Sequence, residues 1–105
     1  MNLEETQGSV FDHLGFSPQE AAELKLKSAL ARHIRLAIEA RGLTQSEAAQ
    51  RTGLRQPEIS RVVNVNFTAM SVSRLFKAAV ALGAEVEVII KSHEGDAPGS
   101  LEVVA

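Results

Sequence analysis

Several residue types are scarce or missing in this chain of 105 residues, which has no cysteine, no tryptophan, no tyrosine and only four phenylalanines. Without cysteine the chain forms neither a disulfide framework nor a thiolate metal site. Few bulky aromatics, together with a hydrophobic share of 45%, favour closely packed helices over a sandwich or a barrel. No apolar run approaches the roughly 18 residues of a membrane span. We therefore expect one small, mainly helical domain.

The sequence also lacks a recognisable catalytic or metal-binding arrangement. His13, His33 and His93 are far apart and share no metal-ligand spacing; His33 lies beside an apolar helical stripe and is interpreted as a residue at the edge of the core. The carboxylates cluster toward the chain ends and form no catalytic constellation with a histidine or a nucleophile. We therefore expect no enzyme activity, no cofactor and no metal. The acidic, polar start at residues 1–8 does not resemble a signal peptide, so a cytoplasmic location is expected.

Charge is distributed unevenly along the chain. The net charge of −2 by itself argues against a nucleic-acid partner. However, residues 1–24 carry five acids and no Lys or Arg (−5), residues 25–77 carry ten bases against three acids (+7), and residues 78–105 carry one base against five acids (−4). A basic middle between acidic ends suits a polyanionic partner. The alternative is that these basic residues simply occupy solvent-exposed helix surfaces and bind no partner.

Local signals predict a long first helix. The stretch from Ser17 to Glu20 reads Ser-Pro-Gln-Glu, which combines a capping serine, a proline at the first helical position and a glutamate that completes a capping box. Apolar residues then recur at spacings of mostly three and four as far as about Arg41, and Gly42 ends the helix. A break within residues 23–27 is left open by the sequence.

Further helices and one strand are predicted downstream. A capping box at residues 44–47 opens a short helix through Thr52, and a later helix begins after Ser71 and ends at Gly83. Residues 85–91 alternate between apolar and charged side chains over most of their length, which is a strand pattern. The chain is thus divided into a flexible lead, a helical domain and a C-terminal strand with a tail: residues 1–9, 10–83 and 84–105.

The stretch from Gln45 to Asn64 predicts two short helices that meet at a sharp turn. Ala49 is small enough for the second helix to approach the first, and Gly53 suits the positive φ of the turn. Ile59 and Val62 lie three residues apart, so both face back onto the first helix. This demanding spacing indicates a helix-turn-helix. The structural alternative is a helical hairpin in which the same residues serve packing only.

The outer face of the second helix favours a binding function. If Ile59 and Val62 point inward, four side chains point outward; they are Gln56, Pro57, Ser60 and Arg61. Glutamine bonds adenine bidentately, arginine bonds the O6 and N7 atoms of guanine, and serine bonds either a base or a phosphate. We therefore favour major-groove readout over a hairpin that only packs.

The residues from Leu43 to Val62, which read LTQSEAAQRTGLRQPEISRV, resemble the helix-turn-helix repressors of Cro/CI (XRE) type. Within these the sequence looks most like the small HigA-type antitoxins of toxin–antitoxin operons, and the wider similarity covers about residues 10–90. The resemblance implies an all-α, lambda-repressor-like bundle of about five helices. It also implies a short C-terminal β-strand for dimerisation.

The same resemblance implies which residues contact DNA. The base-reading positions are Gln56, Pro57, Ser60 and Arg61. The phosphate-contacting positions are Thr44, Gln45, Arg55, Asn64, Asn66 and Thr68. Two residues depart from the family pattern. Thr52 stands where an aliphatic residue is usual, which predicts slightly poorer packing of the hairpin, and Pro57 stands where a base-reading residue is common, which leaves it apolar contact only.

The predicted strand supplies a physical reason for dimerisation. An isolated strand leaves its backbone N–H and C=O groups unpaired. Residues 85–91 would pair either with residues 101–104 of the same chain or with their copy in a second subunit. The second arrangement, which we favour, buries Val86, Val88 and Ile90 across a two-fold axis.

The expected partners follow from these features. A dimer with two recognition helices suits a palindromic operator in double-stranded DNA, and the protein would repress transcription by occupying it. The resemblance adds a RelE-like toxin as a second partner; the alternatives are a stand-alone regulator and a module that binds only protein. The apolar cluster at residues 10–16 is either a cap on the domain or a partner-binding segment.

Overall fold

The structure is a computed structural model that describes residues 15–104 of the chain. It contains four helices in this range: α1 (Pro18–Arg41), α2 (Gln45–Thr52), α3 (Gln56–Val63) and α4 (Val72–Ala81). The predicted helical bundle is therefore confirmed, but the described range holds four helices instead of about five. None of these helices is long and apolar enough to cross a membrane. Most of the apolar cluster at residues 10–16 lies outside the described residues.

The first helix is long and continuous. Oγ of Ser17 accepts a hydrogen bond from the N–H of Glu20 at 3.1 Å, and a carboxylate oxygen of Glu20 accepts one from the N–H of Ser17 at 3.3 Å. This reciprocal pair is the predicted capping box. The helix runs unbroken through residues 23–27, because glutamate, leucine and lysine are all strong helix formers. It ends at Gly42 as predicted.

The core lies between α1, α3 and α4, and α2 packs against α3 and α4. Its largest fully buried side chains come from α1, α3, α4 and the residue after α4; they are Ile34, Ile59, Val62, Leu75 and Leu82. Burying one branched apolar side chain of this size contributes about 1.5–3 kcal/mol. The inward positions of Ile59 and Val62, predicted from spacing, are confirmed.

Two contacts indicate that the later part of α1 and the whole of α4 run side by side in the same direction. Nζ of Lys27 in α1 donates to the carbonyl oxygen of Thr68, which precedes α4, at 3.0 Å. At the other end, a Cβ atom placed on Gly83 would lie 3.1 Å from Nη2 of Arg41. The C-terminal end of α1 therefore lies against the turn that follows α4, where Gly83 leaves space for the arginine.

The predicted C-terminal strand is absent from the described chain. Residues 84–104 contain neither helix nor strand, and the relative exposures of Val86, Val88 and Ile90 are 40%, 69% and 90%. Pairing with residues 101–104 of the same chain is wrong, since those residues form no strand either. The physical reason is that a strand requires a second strand to bond its backbone groups. Pairing between subunits concerns an assembly and stays a prediction.

Candidate nucleic-acid interface

The start of α2 is closed by a second capping box. Oγ1 of Thr44 accepts from the N–H of Glu47, and a carboxylate oxygen of Glu47 accepts from the N–H of Thr44, both at 3.0 Å. The bond from the Thr44 N–H is the main cause that lowers the pKa of Glu47 below its ordinary value. The Thr44 hydroxyl acts here as an acceptor, so its own proton remains available for donation to another group. Gln45, the first residue of α2, is half-buried.

The turn between α2 and α3 is held by Thr52 and Gly53. Thr52 is buried, and its hydroxyl donates to the carbonyl of Ala48 at 2.7 Å and accepts from the N–H of Leu54 at 3.2 Å. Gly53 has φ of 76°, the left-handed conformation predicted for this position. Thr52, where the sequence predicted poorer packing, thus forms hydrogen bonds that an aliphatic residue would lose.

The second helix of the pair, α3, has one buried and one exposed side. Ile59 and Val62 have no exposed surface. Gln56, Pro57 and Arg61 are exposed, and Ser60 is half-buried. The side chains predicted to read bases therefore share the outer side of a helix that is fixed to the core through its inner side.

Asn64 closes the end of α3 and engages one of the predicted base readers. Its Nδ2 donates to the backbone carbonyl of Ser60 at 2.9 Å and to the Ser60 hydroxyl oxygen at 3.3 Å. Both residues already have partners within the chain, so binding DNA through them means sharing these hydrogen bonds. Gln56 and Arg61 are the better candidates for base readout.

The chain leaves α3 through a strained turn at Val65. The N–H of Asn66 donates to the carbonyl of Arg61 at 2.7 Å, and the N–H of Val65 donates to the carbonyl of Val62 at 3.2 Å. These two bonds form a Schellman motif, whose central residue is usually glycine. Val65 occupies that position with φ of 60°, a conformation that is costly for a branched side chain.

The loop behind α3 is anchored on both sides. Phe67 and Met70 are buried in the core, and Lys27 of α1 binds the carbonyl oxygen of Thr68. Asn66 and Thr68, two predicted phosphate contacts, are exposed on this loop. The structure therefore presents them from a segment that is fixed to α1 and to the core.

Sequence reasoning missed an ion-pair cluster at the start of α3. The Glu58 side chain is only 6% exposed. Arg74 of α4 binds it with two nitrogens, Nη2 to Oε1 at 2.6 Å and Nε to Oε2 at 2.8 Å. The N–H of Arg55 donates to Oε1 at 3.0 Å, and its Nε lies 3.4 Å from the same oxygen. The one signal available in the sequence was that Glu58 follows Arg55 at capping-box spacing. No local pattern indicates the contact with Arg74, which is sixteen residues away from Glu58.

These contacts keep Glu58 ionised. The Arg74 hydrogen bonds, followed by the backbone N–H of Arg55, lower the pKa of Glu58 from 4.5 to about 2, against the opposing effect of burial. The same pair raises the pKa of Arg74. Arg55 itself is 81% exposed, so this predicted phosphate contact remains accessible from solvent.

Comparison with known proteins agrees with this geometry. A family described as a helix-turn-helix domain matches residues 10–91, which include all four helices. Searches of curated proteins and of solved structures gave no match. The chain therefore belongs to the helix-turn-helix domain family, which places it among DNA-binding regulators.

Proposed function

We propose that the protein is a sequence-specific transcriptional repressor that reads the major groove of DNA with α3. The observation that carries this proposal is the opposite burial of the two sides of that helix. Ile59 and Val62 are fully buried, whereas Gln56 and Arg61 are exposed one turn or so apart. A rigidly held helix with bidentate hydrogen-bonding side chains on its outer face suits base readout.

The roles of the outer residues follow from their chemistry. Gln56 would bond adenine and Arg61 would bond guanine, each worth about 1–3 kcal/mol of discrimination against a wrong base. Pro57 offers only apolar contact, for instance to a thymine methyl, and Ser60 is a weaker base contact. The phosphate contacts would come from exposed or partly exposed groups around α3; these are Thr44, Gln45, Arg55, Asn64, Asn66 and Thr68.

We further propose that the protein acts as a homodimer on a palindromic operator. A single α3 reads only a few base pairs, so useful specificity needs two half-sites about 34 Å apart. The segment after α4 presents Val86, Val88 and Ile90 to solvent. Pairing of this segment with its copy would bury these side chains and satisfy its backbone groups.

Substitution at the two best base contacts tests the proposal. The probe is a fluorescein-labelled duplex enriched by the wild-type protein from a random duplex library. The double variant Gln56→Ala/Arg61→Ala should bind it at least about thirtyfold more weakly, because two bidentate contacts are lost. Gln19→Ala/Arg32→Ala removes the same residue types from exposed positions of α1 and should bind normally. Unchanged binding by the α3 variant, with circular dichroism showing a native fold, would refute the assignment.

Salt dependence separates this proposal from a module that binds only protein. Phosphate contacts release counterions, so log K should fall steeply and linearly with log salt concentration. A protein-only module predicts no salt-dependent DNA binding. The slope can be measured by fluorescence anisotropy with the enriched duplex and with a scrambled duplex of equal length.

The finer form of the proposal is an autoregulating antitoxin of a type II toxin–antitoxin pair. It rests on the resemblance of the flanking segments to HigA-type antitoxins. A neighbouring gene for a small basic RelE-like ribonuclease, whose product co-purifies with this protein and loses its toxicity on co-expression, would support it. The absence of such a gene favours a stand-alone repressor of the same DNA-binding type.

A further inference from the structure

A buried carboxylate lies at the start of α3, and the proposed DNA contacts give it no role. Glu58 is the third residue of that helix, and its side chain is 6% exposed. Removing a carboxylate from water is costly unless other groups compensate it. Near a DNA phosphate its negative charge would also be repulsive. A carboxylate in this position therefore needs a cation held on the protein side.

Arg74 supplies that cation from another helix. Its Nη2 and Nε atoms bind the two carboxylate oxygens of Glu58 separately, at 2.6 and 2.8 Å. A two-pronged contact fixes direction as well as distance, because the guanidinium is planar and its donors diverge at fixed angles. The pair thus ties the first turn of α3 to α4, whose Leu75 is fully buried in the core.

Glu58 in turn organises the residues that begin α3. One carboxylate oxygen accepts from the backbone N–H of Arg55 at 3.0 Å, which fixes the residue that precedes the helix. Gln56 and Pro57 lie between these two residues. The Arg55 guanidinium makes only a long contact of 3.4 Å and is largely exposed, so Glu58 keeps two shorter contacts to Arg74 if Arg55 turns toward a phosphate.

We propose that Arg74 is a positioning residue for DNA recognition, which acts through Glu58 to orient the first turn of α3 and with it Gln56. This inference rests on the proposed function in DNA binding. Arg74 contacts no DNA in this account. Its loss disturbs the alignment of Gln56 with its base, whereas the phosphate contacts and their number are unchanged.

The first experiment compares Arg74→Gln with Arg74→Lys and with Lys77→Gln, a matched removal of an exposed positive charge one turn further along α4. Binding to the enriched duplex and to the scrambled duplex is measured over a range of salt concentrations. We expect Arg74→Gln to weaken binding to the enriched duplex by about tenfold. Binding to the scrambled duplex and the salt slope should be unchanged. Arg74→Lys should fall in between, because it retains the charge without the planar fork.

Two results would overturn the proposal. Normal binding by folded Arg74→Gln, checked by circular dichroism at the assay temperature, would make the ion pair merely structural. A salt slope reduced by about one for Arg74→Gln would identify Arg74 as a direct phosphate contact. If the wild-type protein enriches no sequence, the proposed function itself fails, and this inference fails with it.

A double-mutant cycle tests whether Arg74 acts through Glu58. The variant Glu58→Gln/Arg74→Gln removes both charges, so it avoids an uncompensated buried carboxylate and keeps the test available if Arg74→Gln unfolds. We expect the double variant to bind the enriched duplex no more weakly than the weaker of the two single variants, or, where Arg74→Gln is unfolded, no more weakly than Glu58→Gln. Additive losses would show independent action and contradict the proposal.

Discussion

At the scale of single residues, two side chains of the α3 region occupy unfavourable environments. Glu58 is a buried carboxylate, and Val65 is a branched residue with positive φ. The first is compensated by Arg74, whereas the second keeps its strain in the loop that carries predicted DNA contacts. Substitution of Glu58 should therefore remove a stabilising interaction, whereas substitution of Val65 by glycine should relieve strain.

Glu58 predicts a specific loss of stability in acid. Its pKa is lowered to about 2 in the folded protein, so its stabilising contribution is complete above the unfolded pKa of about 4.3. That contribution is lost as the pH falls from there through about 2, and the whole shift corresponds to about 3 kcal/mol. Urea unfolding at pH 5 and pH 2.5 measures it. Glu58→Gln should lose less stability over this range than the wild type; equal losses would contradict the assignment.

Val65 predicts that a glycine at its position stabilises the fold. Glycine adopts φ of 60° without strain, and Val65 is 62% exposed, so little apolar burial is lost. Val65→Gly should raise the free energy of unfolding by about 1 kcal/mol. Val80→Gly is the control, since Val80 is 54% exposed but lies within α4 and should lose stability. A loss of stability in both variants would show that the Val65 turn is not strained.

At the scale of elements, the features predicted correctly are those that neighbouring residues determine. The capping boxes at Ser17 and Thr44 depend on residues three apart, and the turn at Gly53 depends on one residue. The prediction of a C-terminal strand was wrong for the single chain. The alternating pattern of residues 85–91 suits a strand, but it does not supply the second strand with which these residues would have to pair. The Arg74 contact was missed because it joins two helices, and no local pattern encodes that approach.

The turn between α2 and α3 contains Thr52, one of the two residues that depart from the family pattern, and its role there can be tested. Replacing Thr52 by valine keeps its shape but removes both hydroxyl hydrogen bonds, and it leaves the N–H of buried Leu54 without that partner. Thr52→Val should lower the free energy of unfolding by about 1–3 kcal/mol. Thr68→Val, at an exposed position, should change it little. Urea unfolding of both variants provides the comparison, and a fully stable Thr52→Val would mean that an aliphatic residue serves equally well.

At the scale of the whole molecule, charge and apolar surface are separated along the chain. The segment 25–77, with ten bases and three acids, contains the whole helix-turn-helix. The most exposed large apolar side chains after α4 lie in an acidic segment; they include Val88, Ile89 and Ile90. This separation is consistent with one region that contacts DNA and another that joins two copies.

The dimer prediction can be tested at the C-terminal segment. Replacing Val86, Val88 and Ile90 with serine should convert a dimer into monomers in sedimentation equilibrium, because these residues share one side of the expected intersubunit strand. Binding to the enriched duplex should weaken while the helical content stays the same. The control variant is Ile89→Ser, which should leave the dimer intact because Ile89 lies on the other side of that strand. A monomeric wild-type protein would contradict the dimer outright.

The most direct test of the central claim is selection of binding sites by the wild-type protein from a random duplex library. We expect an enriched palindrome whose half-sites are about one helical turn apart. The Gln56→Ala/Arg61→Ala variant should fail to distinguish this palindrome from a scrambled duplex. No enriched sequence, or a palindrome bound equally well by that variant, would contradict α3 as the element that reads DNA.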